Sequence, residues 1–161
     1  MSRTPPSRGR WSFSLGLLAL SCLINPASLS GQDLEVDLVG VEQRMAEGRF
    51  ESARSGLQAW LETTEPSASW EERQRGIWLR ALLTIDTQMA ERDLRRLVIE
   101  YPGGPYSGRA LLRLVRGAQA RSDASRALSY LGTLLSDYPQ SALQAEARLL
   151  YNQIAGAGQS P

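Results

Sequence analysis

The chain repeats itself every 37 residues, and that period constrains its fold more than any other feature. Ile99-Glu100-Tyr101-Pro102 and Ser136-Asp137-Tyr138-Pro139 align without a gap at this offset, and the register extends well beyond them. It pairs Asp86 with Asp123, Ala90 with Ala127, Leu94 with Leu131, Leu97 with Leu134 and Val98 with Leu135. Forward of Tyr-Pro it pairs Ala110 with Ala147, Leu112 with Leu149 and Ala118 with Ala155, with Ala81 one copy earlier. One step back lies a more worn copy, in Ala53, Leu57, Trp60, Leu61 and Thr64. A unit of this size cannot bury its apolar face alone; stacked copies bury a continuous core, and three copies are about the minimum for stability.

Each copy reads as two helices. Ala127, Leu131, Leu134 and Leu135 recur at i, i+4, i+7 and i+8, which places one apolar stripe along about three helical turns. Asp86 and Asp123 stand where N-caps belong, and Pro102 and Pro139 end the same helices, because proline donates no hydrogen bond and disfavours helix in its predecessor. Ser69-Trp70-Glu71-Glu72 and Ser141-Ala142-Leu143-Gln144 both fit a capping box. The pattern predicts helices over 34–46, 50–63, 69–84, 88–100, 106–120, 124–137 and 142–155, and no strand, since no segment sustains period-two alternation. The expected fold is all-α: a short α-solenoid of about three helix-turn-helix units. A seventh helix caps the last pair through Ala147, Leu150, Tyr151 and Ile154, and residues 156–161 form a flexible tail.

Composition removes several kinds of chemistry. The 161 residues include no His, one Cys and no Lys, all 18 cationic side chains being Arg. Imidazole acid-base catalysis, a His-containing triad, His-ligated or Cys-rich metal sites, a Schiff-base lysine and a P-loop lysine are therefore excluded. No metal or cofactor is expected. Gly103-Gly104-Pro105-Tyr106-Ser107-Gly108 has neither a preceding strand nor a following Gly-Lys-Ser/Thr, and reads as an inter-repeat turn rather than a phosphate cradle. The acid pairs Glu71 with Glu72 and Glu62 with Glu65 lie at helix ends; the first pair suits a helix N-terminus, whose dipole favours negative charge.

The first thirty residues have the order of a secretory signal peptide. Arg3, Arg8 and Arg10 precede a mainly apolar run of 14 residues, Trp11 to Ile24, followed by Asn25-Pro26-Ala27-Ser28-Leu29-Ser30. The run is shorter than the roughly 20 residues of a membrane-spanning helix. With cleavage after Ser30, the remaining 31–155 repeat domain and its tail carry 15 Arg against 17 acids, a balance unlike the basic face of a nucleic-acid binder. Ala19-Leu20-Ser21-Cys22 loosely resembles a bacterial lipobox, although Ala19 and Leu20 nearly reverse its preferred order. Two outcomes follow. Either Cys22 is lipidated and holds the protein on a membrane face, or it is discarded with the leader and the product is exported without an anchor.

Ala110-Leu111-Leu112-Arg113-Leu114-Val115, then Ala127, Leu131, Leu134 and Tyr138-Pro139, resembles the tetratricopeptide repeat. Tyr101-Pro102 through Ser107 and Tyr138-Pro139-Gln140-Ser141 are similar to the linkers of a bacterial envelope group that includes the outer-membrane assembly lipoprotein BamD and the Tol-Pal accessory protein. The likeness is good over 86–155 and weaker over 33–85. Trp78, Val115 and Asn152 replace the small residue usual late in the first helix, and the period exceeds the usual 34.

In that family the first helix of each pair lines a concave binding surface. The resemblance therefore implies such a role for Arg109, Arg113 and Arg116, which lie at i, i+4 and i+7 opposite Leu111, Leu114, Val115 and Ala118. Arg73 and Arg80 would extend the surface on the preceding first helix, with Trp78, Tyr106 and Tyr151 as candidate aromatic anchors. For the Arg stripe the alternative is a solvated helix face, and for the aromatics it is packing. The expected function is an exported, non-enzymatic scaffold that binds an envelope protein or peptide segment in the periplasm, or on the outer membrane if Cys22 is lipidated. A self-associating structural accessory is the alternative.

Overall fold

A computed structural model describes residues 37–157. The leader-like segment and Cys22 lie outside the described residues. Seven α-helices follow one another: α1 (Leu38–Ala46), α2 (Phe50–Thr63), α3 (Trp70–Leu83), α4 (Thr87–Glu100), α5 (Ser107–Ala120), α6 (Ala124–Asp137) and α7 (Gln144–Ala157), with one 3-10 turn at Glu65–Ser67. Each packs on the next in an all-α, solenoid-like array, and there is no strand among the described residues. The 37-residue period holds in the backbone itself. Helices α2, α4 and α6 begin at 50, 87 and 124, helices α3, α5 and α7 begin at 70, 107 and 144, and each has 14 residues.

Local chemistry sets the helix ends. The Asp86 carboxylate accepts from the backbone N–H groups of Gln88 and Met89, and Asp123 from that of Arg126. Ser69 and Glu72 form a reciprocal capping box at α3: the Glu72 N–H donates to Ser69 Oγ and the Ser69 N–H to Glu72 Oε2. Glu72 is held below the ordinary carboxylate pKa chiefly by that backbone donor. The worn first copy has Arg49 in place of the capping Asp, and α2 starts without a side-chain cap.

The expected capping box at Ser141 does not form. Ser141 Oγ accepts from Leu143 N–H within a turn, while the Gln144 side-chain amide donates back to the carbonyls of Leu134, Leu135 and Tyr138 at the end of α6. Gln144 thus closes the preceding helix instead of opening its own, and α7 begins two residues later than its sequence pattern suggests. Ser107, at the equivalent place one repeat earlier, acts likewise on the carbonyls of Leu97 and Tyr101. At the other end α7 runs to Ala157, past the expected start of the tail at Gly156. One glycine costs a helix only about 1 kcal/mol, and the alanines on both sides are the best helix formers.

The turns inside the repeats depart from strict periodicity at one residue. Gly48 and Ser122 occupy the same repeat position and both take the left-handed conformation, with φ of 74° and 57°. In each turn the next residue's N–H bonds back into the helix, Arg49 to the Arg44 carbonyl and Asp123 to that of Ala118. Ile85 stands at this position in the middle repeat. A β-branched side chain is poorly tolerated at positive φ, and α3 leaves instead through an extended Thr84, with Ile85 80% exposed.

The core consists of three clusters strung along the array. Leu38, Val41, Ala53, Leu57, Trp60, Leu79 and Leu83 join α1, α2 and α3. Ile77, Ala81, Leu94, Leu97, Tyr101, Ala110 and Leu114 join α3, α4 and α5. Leu111, Leu112, Val115, Ala118, Ala127, Leu131, Leu134 and Ala147 join α5, α6 and α7. Trp78, Val98 and Tyr130 each touch two clusters, so the burial is continuous. Gly76 is required by this packing, because a Cβ there would lie 2.5 Å from the Trp60 ring. In α7, Ala147 is buried and Leu150 and Ile154 pack on the last pair as expected. Tyr151 does not join them: it is 38% exposed.

Candidate interaction surface

Helix α5 carries no acidic residue, and its two faces separate cleanly. Ser107, Gly108, Ala110, Leu111, Leu112, Leu114, Val115 and Ala118 are buried, whereas Arg109, Arg113 and Arg116 are exposed along the opposite side. Arg109 and Arg113 make no ion pair among the described residues. Arg116 reaches Glu146 of α7 at 3.3 Å, a solvent-exposed contact of the kind that contributes little. The stripe borders two depressions. Arg113 and Arg116 stand on a cleft between α4 and α5, and Arg109 stands on a second one between the Gly103–Gly108 and Asp137–Leu143 turns.

Arg73 and Arg80 do not extend this stripe. In the repeat register they correspond to Ala110 and Gly117, not to the α5 arginines, so they leave α3 on other sides. Arg73 donates to the Pro66 carbonyl at 3.2 Å. Arg80 is engaged by Asp93 of α4 through two parallel hydrogen bonds, Nε to Oδ2 at 2.8 Å and Nη2 to Oδ1 at 2.6 Å. Asp93 is only 8% exposed, and its hydrogen bonds are the main cause raising the Arg80 pKa. This guanidinium closes α3 on α4. Arg75, not singled out by its spacing, does the same between α3 and α1 by gripping Glu42 at 2.8 and 2.5 Å, which lowers the Glu42 pKa.

The three aromatic candidates separate as well. Trp78 and Tyr106 stack, with ring centroids 5.8 Å apart and planes inclined by 26°, and both are half-buried. Trp70 and Tyr101 pack at 5.3 Å about two helical turns earlier on α3. Between them lies Gln74, fully buried. Its Nε2 has only a long 3.4 Å bond to the Trp70 carbonyl, and its Oε1 has no partner. Trp70, Gln74 and Trp78 thus form an i, i+4, i+8 stripe under the Tyr101–Tyr106 loop, where a Cβ on Gly104 would lie 2.1 Å from Gln74 Oε1 and force the buried amide to move. Trp78 and Tyr106 fasten that loop, and Tyr151 remains at the surface of α7, away from them in the fold order.

Spacing did not single out Gly117, Ala120, Arg121 and Glu91, which complete the α4/α5 cleft with Ala81, Ala90, Leu94 and Leu114. Glu91 is held by Arg121 at 2.9 Å and more loosely by Arg95 at 3.7 Å. No cluster of three or more metal-ligating side chains occurs among the described residues. None of the described helices is long and apolar enough to cross a membrane. Comparison with protein-family models, with curated proteins and with solved structures returns no match.

Proposed function

We propose that this protein is an exported, non-enzymatic scaffold of the tetratricopeptide kind that binds another protein, or a peptide segment of one, in a bacterial cell envelope. The observation that carries the reading is α5: an acid-free helix presenting Arg109, Arg113 and Arg116 to solvent beside two depressions. Arg109 and Arg113, which have no ion-pair partner among the described residues, are suited to bidentate recognition of carboxylates. The absence of His and Lys and the confinement of Cys to position 22 support a non-catalytic role. The leader-like order of residues 1–30 supports export, and lipidation at Cys22 would add a membrane anchor. Outer-membrane protein assembly and Tol-Pal-linked coordination of the peptidoglycan layer are the settings suggested by the Tyr-Pro linkers.

In-cell crosslinking followed by affinity capture tests this, comparing a C-terminally tagged wild type with an Arg109→Glu, Arg113→Glu, Arg116→Glu variant. The reading expects an outer-membrane assembly or Tol-Pal component recovered with the wild type and lost with the variant. Recovery of the protein alone, unaffected by the substitutions, would refute it. A second reading, self-association as a structural accessory, draws on Leu149 of α7 and Val39 of α1, which are 69% and 55% exposed on the terminal helices. Sedimentation separates the two: a closed oligomer supports self-association and a monomer supports the scaffold.

A further inference from the structure

We infer that the cleft between α4 and α5 is a docking site for an acidic amphipathic segment of the partner, which inserts a large apolar side chain over Gly117 and places carboxylates on Arg113 and Arg116. This rests on the scaffold reading and specifies its occupant. The cleft has a volume of about 450 Å³ and is floored by Ala81, Ala90, Leu94 and Leu114.

Its open space traces to Gly117, a position at which the neighbouring repeats carry larger side chains. In α3 the places of Gly117 and Ala120 belong to Arg80, whose side chain turns to Asp93 of α4, and to Leu83, which is 4% exposed. At the α6/α7 junction the place of Gly117 belongs to Ile154, half-buried against the last cluster with Leu150. Only α5 lacks a side chain at this place. Nothing in the packing requires the glycine, since a Cβ on Gly117 would meet only the Arg121 guanidinium, at an ordinary 3.6 Å. A glycine inside a helix weakens it, and the residue leaves open space above an apolar floor.

The charges around that space select the occupant. Arg113 has no carboxylate partner among the described residues, Arg116 has only a 3.3 Å contact to Glu146, and Arg121 and Arg95 flank Glu91, the one acid on the rim. An apolar side chain flanked by carboxylates matches both the floor and the rim, as in helix-in-groove recognition. A basic segment would meet repulsion from Arg113 and Arg116.

A display library of random peptides about four helical turns long, panned against the intact chain, tests the assignment. Recovered peptides are synthesised with a fluorescent label and titrated by anisotropy against wild type, Gly117→Leu and Arg113→Glu. The inference expects peptides enriched in Asp and Glu around Leu, Phe or Met, bound at least about tenfold more weakly by either variant. The Gly117→Leu protein should melt no lower than wild type; Ala120→Leu fills the same space from the next turn and guards against a folding defect. Peptides without acidic enrichment, or with affinity indifferent to both cleft-filling variants, would overturn the cleft while leaving the scaffold reading standing. No binding peptide at all would count against both.

Discussion

Gln74 and Leu111 occupy the same place in successive repeats, both fully or almost fully buried, yet one is polar and one apolar. Exchanging them one at a time should give opposite signs. In Gln74→Leu the unpartnered Oε1 disappears, returning about 1–3 kcal/mol. The long Nε2 bond to the Trp70 carbonyl is lost at a cost of at most about 0.5 kcal/mol. Leucine has one fewer heavy atom, and a gap near the size of a methyl group costs about 1 kcal/mol. The balance runs from about −0.5 to +1.5 kcal/mol and centres on a stabilisation of about 0.5 kcal/mol. Leu111→Gln does the reverse: it forfeits about 2–3 kcal/mol of apolar burial and buries two polar atoms without provision for either, for a loss of about 4 kcal/mol. Urea denaturation followed by tryptophan fluorescence is the assay, since Trp70 and Trp78 flank Gln74 by one turn on each side. Destabilisation of the Gln74→Leu protein by more than about 1 kcal/mol would refute the reasoning, because it would mean the amide is satisfied in the native state.

Three further outcomes follow from the packing and the charges. Leu131→Ala, at a fully buried position of the α6 stripe, should cost about 2–5 kcal/mol in chemical denaturation, and a shift near zero would mean the stripe faces water. A double-mutant cycle of Arg80→Met and Asp93→Leu should show a coupling of about 1–3 kcal/mol, because the pair is bidentate and its carboxylate is nearly buried; additivity within about 0.3 kcal/mol would show that it does not lock α3 to α4. Glu42 and Glu72 have folded-state pKa values below the ordinary carboxylate range, so their stabilisation is complete above the unfolded value of about 4.3 and is lost as pH falls through the lower folded values. With no His in the chain, the melting temperature should stay flat from about pH 5.5 to 8 and decline below about pH 4.5. Glu42→Gln should flatten that acid decline, and a step near neutral pH would contradict the assignment.

The helices were legible because period and apolar stripe agree from Phe50 to Asp137, reinforced by side-chain caps at the starts of α3, α4 and α6. The start of α7 was not, because Ser141 and Gln144 satisfy a local capping pattern while tertiary contact offers Gln144 three carbonyls of α6. The α5 arginines were recognisable as one face from their spacing alone. What Arg80 does was hidden, since its partner Asp93 lies 13 residues away on another helix and spacing along α3 carries no information about it. The cleft had a signal that was not read: aligning Arg80, Gly117 and Ile154 at the repeat offset shows where one junction lacks a side chain.

The scaffold account is tested most directly by placing a photo-crosslinking amino acid at Arg113 in the living cell and, for comparison, at the exposed positions Gln58 on α2 and Ser129 on α6. The account predicts an adduct to one distinct envelope protein from position 113, absent or much weaker from the other two. Equal adducts from all three positions, or adducts only between copies of this chain, would contradict it.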